Sequence, residues 1–445
     1  MGKLFGTDGI RGIANSELTP ELLFKIGRAH AHSLKAHRPR PRIVVGRDTR
    51  ISGDLLEAAY TAGACASGAD VVSVGVLPTP GVAVLIPLLQ GDSGAVLSAS
   101  HNPVQDNGIK LLSRDGYKLE DAVEAEIERL IDEADQLPRP TGAEVGRRLE
   151  ESRAEDLYLD HLTKAARGRL EGLKVVLDCA HGAAYHVAPR LFRELGAQVE
   201  VIAASPDGTN INVKCGSTHL EGLQAEVVAR KARLGLAFDG DADRCLAVDE
   251  QGTVVDGDQM MALFANWLKT QGRLRHDLVV ATVMSNVGLE IALREKGIRL
   301  LRTRVGDRYV LEEMKARNAV LGGEQSGHLI MLEHGTTGDG TLAALMLATL
   351  VHESGQPLSA LAAGMPRLPQ KLVNVRARHK DKLDSDEEIG AAITRLEGRL
   401  AERGRILVRC SGTEPLVRVM AEGPDLAELD DVVGELSRLI EQRLG

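Results

Sequence analysis

Aromatic side chains are nearly missing from this sequence: phenylalanine, tyrosine and tryptophan together make up 2% of 445 residues. Valine, leucine, isoleucine and alanine must therefore fill the interior. That favours α/β layers over an aromatic-rich β-barrel or a base-stacking surface. No long basic tract offsets the formal charge of −9. This argues against nucleic-acid binding, which needs clustered lysine and arginine. The five cysteines include no C-x-x-C pair and read as reduced thiols of a cytoplasmic protein. No apolar run approaches the roughly 20 residues that span a bilayer. The N-terminus, with Asp8 and Arg11 so early, lacks the apolar core of a signal peptide. A G-x-x-x-x-G-K-[ST] loop and H-E-x-x-H zinc spacing are also missing, so nucleotide hydrolysis and zinc chemistry are not indicated. Gly338-Asp-Gly340 fits a dinucleotide pattern only loosely, with no acidic residue about 20 positions on.

What is present is an ordinary folded composition, 43% apolar and 26% charged, too long for one core. Strand and helix patterns alternate. Arg42 to Val45 reads as a strand, Ser52 to Gly68 as a helix capped at both ends, and Asp70 to Val76 and Ala95 to Ser98 as further strands. The rhythm restarts at Lys174 and at Asp277. It changes after Pro366 and Pro369 to strand, helix, two strands, helix. The expected fold is three similar α/β domains with mixed, mostly parallel sheets, at 1–150, 151–257 and 258–368, then a smaller α+β domain at 369–445.

Four loops could carry chemistry. In Asp239-Gly-Asp241-Ala-Asp243-Arg244, after an apolar run, alternate carboxylates can converge. Two of them about 5 Å apart repel by roughly 3 kcal/mol at an effective dielectric of 20, which a divalent cation offsets. An EF-hand is excluded because Arg244 stands where its glycine is needed; a solvated acidic turn remains open. In Ser98-Ala-Ser100-His101-Asn102-Pro103 a serine hydroxyl is expected to be exposed beside an imidazole, as a nucleophile or merely as a local hydrogen bonder. Gly322-Gly-Glu324-Gln325-Ser326-Gly-His328 lies between apolar strands; its polar residues alternate and could face a sugar, or decorate a hairpin. Arg409-Cys-Ser411-Gly412-Thr413-Glu414-Pro415 precedes an alternating strand, so its hydroxyls, amides and Arg409, with Arg418, suit a phosphate.

Taken in order, with FGTDGIRG at 5–12, these loops resemble the α-D-phosphohexomutase superfamily over essentially the whole chain. Gln325 and the stretch Asn210-Ile-Asn212 with Cys215-Gly-Ser-Thr218 resemble its glucosamine branch. The resemblance implies interconversion of glucosamine 6-phosphate and glucosamine 1-phosphate, feeding UDP-N-acetylglucosamine synthesis. It implies a phosphorylated Ser100 and a glucosamine 1,6-bisphosphate intermediate. Mg2+ would be held by Ser100, Asp239, Asp241 and Asp243. Arg11, His101 and Arg244 would surround the reacting phosphate, and Lys110 or His328 would move the hydroxyl proton. Glu324 and Ser326 would grip the sugar, while Arg409, Ser411, Gly412, Thr413 and Arg418 would hold the other phosphate. The implied partner is a small phosphosugar, with neither nucleic acid nor membrane; a homodimer is one assembly compatible with the sequence. A phosphomannomutase/phosphoglucomutase with the same mechanism and a metal-dependent sugar phosphohydrolase are the rival activities.

Overall fold

The computed structural model describes every residue except 1–3, 7, 8, 37, 167 and 412–414, and the side chain of Glu402. Packing divides the chain into two compact units. One holds residues 1–284 and 298–363, the other 285–297 and 364–445.

The first unit contains three sheets. In the first, β1 (Ile10–Ile13), β2 (Arg42–Arg47), β3 (Asp70–Val76), β4 (Ser93–Leu97), β5 (Asp106–Ser113) and β6 (Arg148–Glu150) run in the order β1-β5-β4-β2-β3-β6. β2 is parallel to β3 and β4, while β5 is antiparallel to both its neighbours. The second sheet is β11-β10-β9-β7-β8, made of β7 (Lys174–Asp178), β8 (Gln198–Ile202), β9 (Leu234–Phe238), β10 (Cys245–Asp249) and β11 (Val254–Val255). The third is β13-β12-β14-β15, made of β12 (Leu278–Thr282), β13 (Arg299–Thr303), β14 (Leu321–Gly323) and β15 (Leu329–Met331). Central strands such as β4 and β9 are buried along their whole length, as expected when helices cover both faces of a largely parallel sheet.

The second unit holds an antiparallel sheet, β16-β18-β17, of β16 (Gln370–Arg376), β17 (Arg405–Cys410) and β18 (Leu416–Glu422). Its helices Glu387–Leu400 and Leu426–Leu444 supply a separate apolar core. The helix Val287–Glu295, although it links β12 to β13 in sequence, belongs to this unit. The buried Glu422 carboxylate accepts the Val287 N–H at 2.9 Å, and Arg405 donates both to Glu422 and to the Ser285 carbonyl.

The fold class read from the sequence is the one observed. One local expectation is corrected. Ser52 opens the helix Ser52–Ala66 without capping it, since the N-cap is Ile51 and makes no side-chain cap bond. The Ser52 hydroxyl instead accepts from Asn107 Nδ2 at 2.9 Å. Among the described residues no helix is long and apolar enough to cross a membrane.

Candidate active site

The serine loop leaves β4 through Ser98, whose hydroxyl donates to Asp48 Oδ2 (2.6 Å) and accepts the Ser100 N–H (2.9 Å). Ser100 takes a left-handed backbone, φ 51°, which costs a non-glycine residue about 1–2 kcal/mol. One buried guanidinium offsets that cost. Arg50 donates to the carbonyls of Ser100 (3.0 Å), Asn102 (2.8 Å), Pro103 (2.5 Å) and Asp106 (3.0 Å). Its Nε is paired with Asp48 at 2.9 Å. Asn212 Nδ2 adds bonds to the same carbonyls of Ser100 (2.9 Å) and Asn102 (3.2 Å).

The sequence suggested an exposed Ser100 hydroxyl; instead the residue is 1% accessible and its hydroxyl is buried. The aspartate loop lies against it so closely that a Cβ on Gly240 would come within 2.4 Å of the Ser100 carbonyl oxygen. Only glycine permits that approach. Ser100 Oγ donates to Asp239 Oδ2 at 2.5 Å, and His101 Nδ1 lies 3.2 Å away. The hydroxyl proton is committed to Asp239, so His101 Nδ1 must carry its own proton and donate to Oγ. Burial, then Arg244 and Arg11, lower the His101 pKa, which keeps that ring neutral.

The aspartates occupy the hairpin between antiparallel β9 and β10, flanked by strands rather than EF-hand helices. One carboxylate oxygen from each of Asp239, Asp241 and Asp243 lies within 4.8 Å of the others, and all three residues are buried. A solvated acidic turn is thereby ruled out. Burial, Asp243 and Asp241 push the Asp239 pKa well up. Burial also opposes the charge on Asp243, but Lys110 and His328 outweigh it and hold that carboxyl well down. Asp241 Oδ1 and Asp243 Oδ1 are buried without a hydrogen-bond partner among the described residues. Unpaired carboxylate oxygens in a dry, crowded cluster are costly; a hard, oxygen-seeking divalent cation fits them.

An ammonium, a hydroxyl and an imidazole surround the cluster. Lys110 Nζ sits 3.3 Å from both Asp241 Oδ2 and Asp243 Oδ2. Thr79 Oγ1 donates to Asp241 Oδ2 at 2.6 Å. His328 places Nδ1 3.6 Å from Asp243 and Nε2 3.7 Å from Asp307. Burial lowers the His328 pKa, but these carboxylates overcome it and raise the value to about 9. The Gly338 N–H, however, points at Nε2 from 3.1 Å and requires its lone pair. That geometry favours a neutral ring protonated at Nδ1, and a cation beside Asp243 would act in the same direction.

A cavity of about 410 Å³ opens on this centre, lined by Arg11, Asp243, Arg244, Glu324 and His328 among others. Glu324 Oε1 accepts the Gly306 N–H at 3.2 Å. Ser326 is not on this wall, and its Oγ is buried without a partner among the described residues. Lys110 faces a neighbouring cavity of about 460 Å³, together with Thr79 and Asp243. In the second unit Arg409 and Arg418 pair directly across β17 and β18. Two cationic side chains paired this way can act together on one anion. Lys380 Nζ donates to the Ser411 carbonyl at 2.6 Å, and the Ser411 N–H donates to Leu416. Gly412 and Thr413 lie outside the described residues.

Asp48, Arg50 and Thr79 were not singled out from the sequence. The charged run Arg47-Asp48-Thr-Arg50 at a strand end was the available signal for the first two; Pro78-Thr79-Pro80 reads as a simple turn.

Four family models of phosphoglucomutase/phosphomannomutase match this chain: alpha/beta/alpha domain I over 2–138, domain II over 156–252, domain III over 256–368 and the C-terminal domain over 372–439. A phosphoglucosamine mutase of Moorella thermoacetica is 57% identical over 440 residues, covering 99% of each chain. One of Pelotomaculum thermopropionicum is 56% identical over 443 residues, covering 99% of this chain and 100% of the relative. The solved structure of a phosphoglucomutase/phosphomannomutase family protein from Burkholderia thailandensis superimposes with a TM-score of 0.85 at 27% identity, covering 99% of this chain and 98% of that one.

Proposed function

Because the chain belongs to the phosphoglucomutase/phosphomannomutase family, we propose that it interconverts glucosamine 6-phosphate and glucosamine 1-phosphate, with Ser100 carrying the transferred phosphoryl group. The choice of sugar rests on relatives that share more than half their residues with this chain and are phosphoglucosamine mutases. The observation that carries the chemistry is the Ser100 hydroxyl, 2.5 Å from Asp239 in a cluster with two unpaired carboxylate oxygens. Free thiols at all five cysteines support a reducing compartment, the cytoplasm.

Asp239, Asp241 and Asp243 would hold Mg2+ together with a phosphate oxygen on Ser100. The ion would neutralise charge that spreads over the transferring phosphoryl group. In the first half-reaction the P–Oγ bond to Ser100 breaks and a P–O bond to the free sugar hydroxyl forms. One proton passes, net, from that hydroxyl to Oγ, giving glucosamine 1,6-bisphosphate. Lys110 and His328, on either side of Asp243, are the candidates for relaying the proton. Asp239 receives the Oγ–H when Ser100 is unloaded, and His101 donates to the same oxygen. The bisphosphate then turns around, and its other phosphoryl group returns to Ser100 by the reverse step. Arg11 and Arg244 on the cavity wall bind phosphate charge, with Glu324 placed to accept from sugar hydroxyls. Arg409 and Arg418, with Ser411, Gly412 and Thr413, are assigned the non-reacting phosphate, and Ser326 is assigned a sugar hydroxyl.

The test is a coupled assay on glucosamine 6-phosphate with Mg2+, comparing the chain with its Ser100→Ala variant, and intact-mass detection of one phosphoryl group on the unaltered chain. Equal rates would sink the proposal. Comparing kcat/KM for glucosamine, glucose and mannose phosphates decides the sugar.

A further inference from the structure

Asp241 divides the work of its two oxygens. Oδ2 accepts the Thr79 hydroxyl at 2.6 Å and faces Lys110 at 3.3 Å. Oδ1, equally buried, has no hydrogen-bond partner among the described residues. A carboxylate that can turn about its Cβ–Cγ bond would exchange these oxygens; this one is tied at one of them.

The tie is rigid. Thr79 is the first residue of the helix Thr79–Leu88, between Pro78 at the N-cap and Pro80 in the first turn. The prolines restrict the backbone before and after it. Its own N–H donates to the Asp241 carbonyl at 3.0 Å, so one threonine grips both the main chain and the side chain of Asp241. Thr79 is 3% exposed, which leaves water little chance to replace it. The contact also crosses from the first sheet's domain to the second's, so it reports on how the serine loop and the aspartate loop are registered.

We infer that Thr79 is a positioning residue for the metal centre: its hydroxyl occupies Asp241 Oδ2 and thereby presents Oδ1 to the cation. Partners that orient a ligating carboxylate in this way typically matter 10–100-fold for metal affinity. Lys110 cannot substitute, because it divides itself between Asp241 and Asp243 and attracts both without fixing either in rotation.

The inference rests on the reading that the three aspartates hold a divalent cation, and its test separates the two. Mn2+ binding to the full-length chain is titrated by electron paramagnetic resonance, which needs no turnover, for wild type, Thr79→Val and Thr79→Ser. Wild type should bind one Mn2+, Thr79→Val about 10–100-fold more weakly, and Thr79→Ser within about threefold of wild type. The Mg2+ concentration for half-maximal mutase rate should rise in parallel in Thr79→Val, with the sugar-phosphate KM at saturating Mg2+ unchanged. Wild-type affinity in Thr79→Val overturns the inference. So does Thr79→Ser binding as weakly as Thr79→Val, since packing of the methyl group would then be responsible. No binding by wild type removes the metal reading and this inference with it. Should Thr79→Val fail to fold, Thr79→Ala removes the hydroxyl without adding bulk, and the same outcomes apply.

Discussion

Arg50 donates to the carbonyl of Ser100 at 3.0 Å while its Nε is bound to Asp48 at 2.9 Å, so a side chain fifty residues earlier dictates the backbone of Ser100. Arg50→Lys keeps the charge but cannot reach four carbonyls and a carboxylate in one plane. Stability should fall by roughly 3 kcal/mol, the cost of a broken buried ion pair. The mutase kcat should fall about 10–100-fold through misplacement of Ser100, with a smaller change in KM. Chemical denaturation and steady-state kinetics check both.

Three carboxylates packed within 4.8 Å make the metal-free protein less stable than it need be. Adding Mg2+ should raise the unfolding midpoint, by about 2.7 kcal/mol of stability at one hundred times Kd. Asp241→Asn should abolish that Mg2+-dependent rise, yet match or exceed wild type in the presence of a chelator. A chelator-treated Asp241→Asn markedly less stable than wild type would contradict this account.

Arg409 and Arg418 face each other across two strands and should welcome an anion. Arg409→Ala should raise the KM for glucosamine 6-phosphate at least about tenfold, because a charge-assisted bond contributes roughly 1.5–3 kcal/mol. A change in kcat alone would place the second phosphate elsewhere.

His30 sets an acid limit. The Ser93 hydroxyl donates to the Leu112 carbonyl, so Ser93 Oγ must accept from His30 Nε2 (2.8 Å) while Nδ1 accepts from Tyr60 (2.6 Å). A second ring proton has nowhere to go, and burial lowers the His30 pKa to about 3. The unfolded chain protonates near 6.5, so this contribution is complete above that pH and is lost as pH falls from 6.5 towards 3. Its full size is on the order of 5 kcal/mol. Denaturation midpoints at pH 7.5 and 5 should differ less in His30→Gln than in wild type; equal differences would remove His30 as the cause.

Asp339 works in the opposite sense. It caps the helix Gly340–Ser354 through the Leu342 N–H (2.8 Å) and accepts from Tyr158, yet burial raises its pKa to about 6. Stability is therefore lost as pH rises from about 4 through 6. Asp339→Asn keeps the cap acceptor without the charge. It should gain on wild type by roughly 1–3 kcal/mol at pH 8 and show no gain at pH 4. The same urea titration at the two pH values tests it.

Much of the site was legible because it is written in short spacings. Asp239, Asp241 and Asp243 alternate, so one hairpin brings them together, and Ser100 follows a strand end as Asp239 does. The groups that hold these residues were not legible. Arg50 and Thr79 act through tertiary bonds to partners as far as 56 and 162 residues away, and the charged run around Arg50 marks a strand end without saying what its guanidinium will reach. The same distance in sequence hid the burial of Ser100, which depends on Gly240 from another domain. The packing of the helix Val287–Glu295 is hidden for a related reason: its place between β12 and β13 in sequence says nothing about which core accepts it.

That helix limits how this architecture can be reassembled. Glu422 needs the Val287 N–H as well as Arg405, so the C-terminal unit is not a cassette that begins at Gly364. A fragment expressed from that point would expose the surface the helix covers. A chimera that exchanged only 364–445 between relatives would join a foreign sheet to a native helix. Exchanges that carry 285–297 with the tail should yield soluble protein more often, because the two segments pack as one unit despite the 66 residues between them.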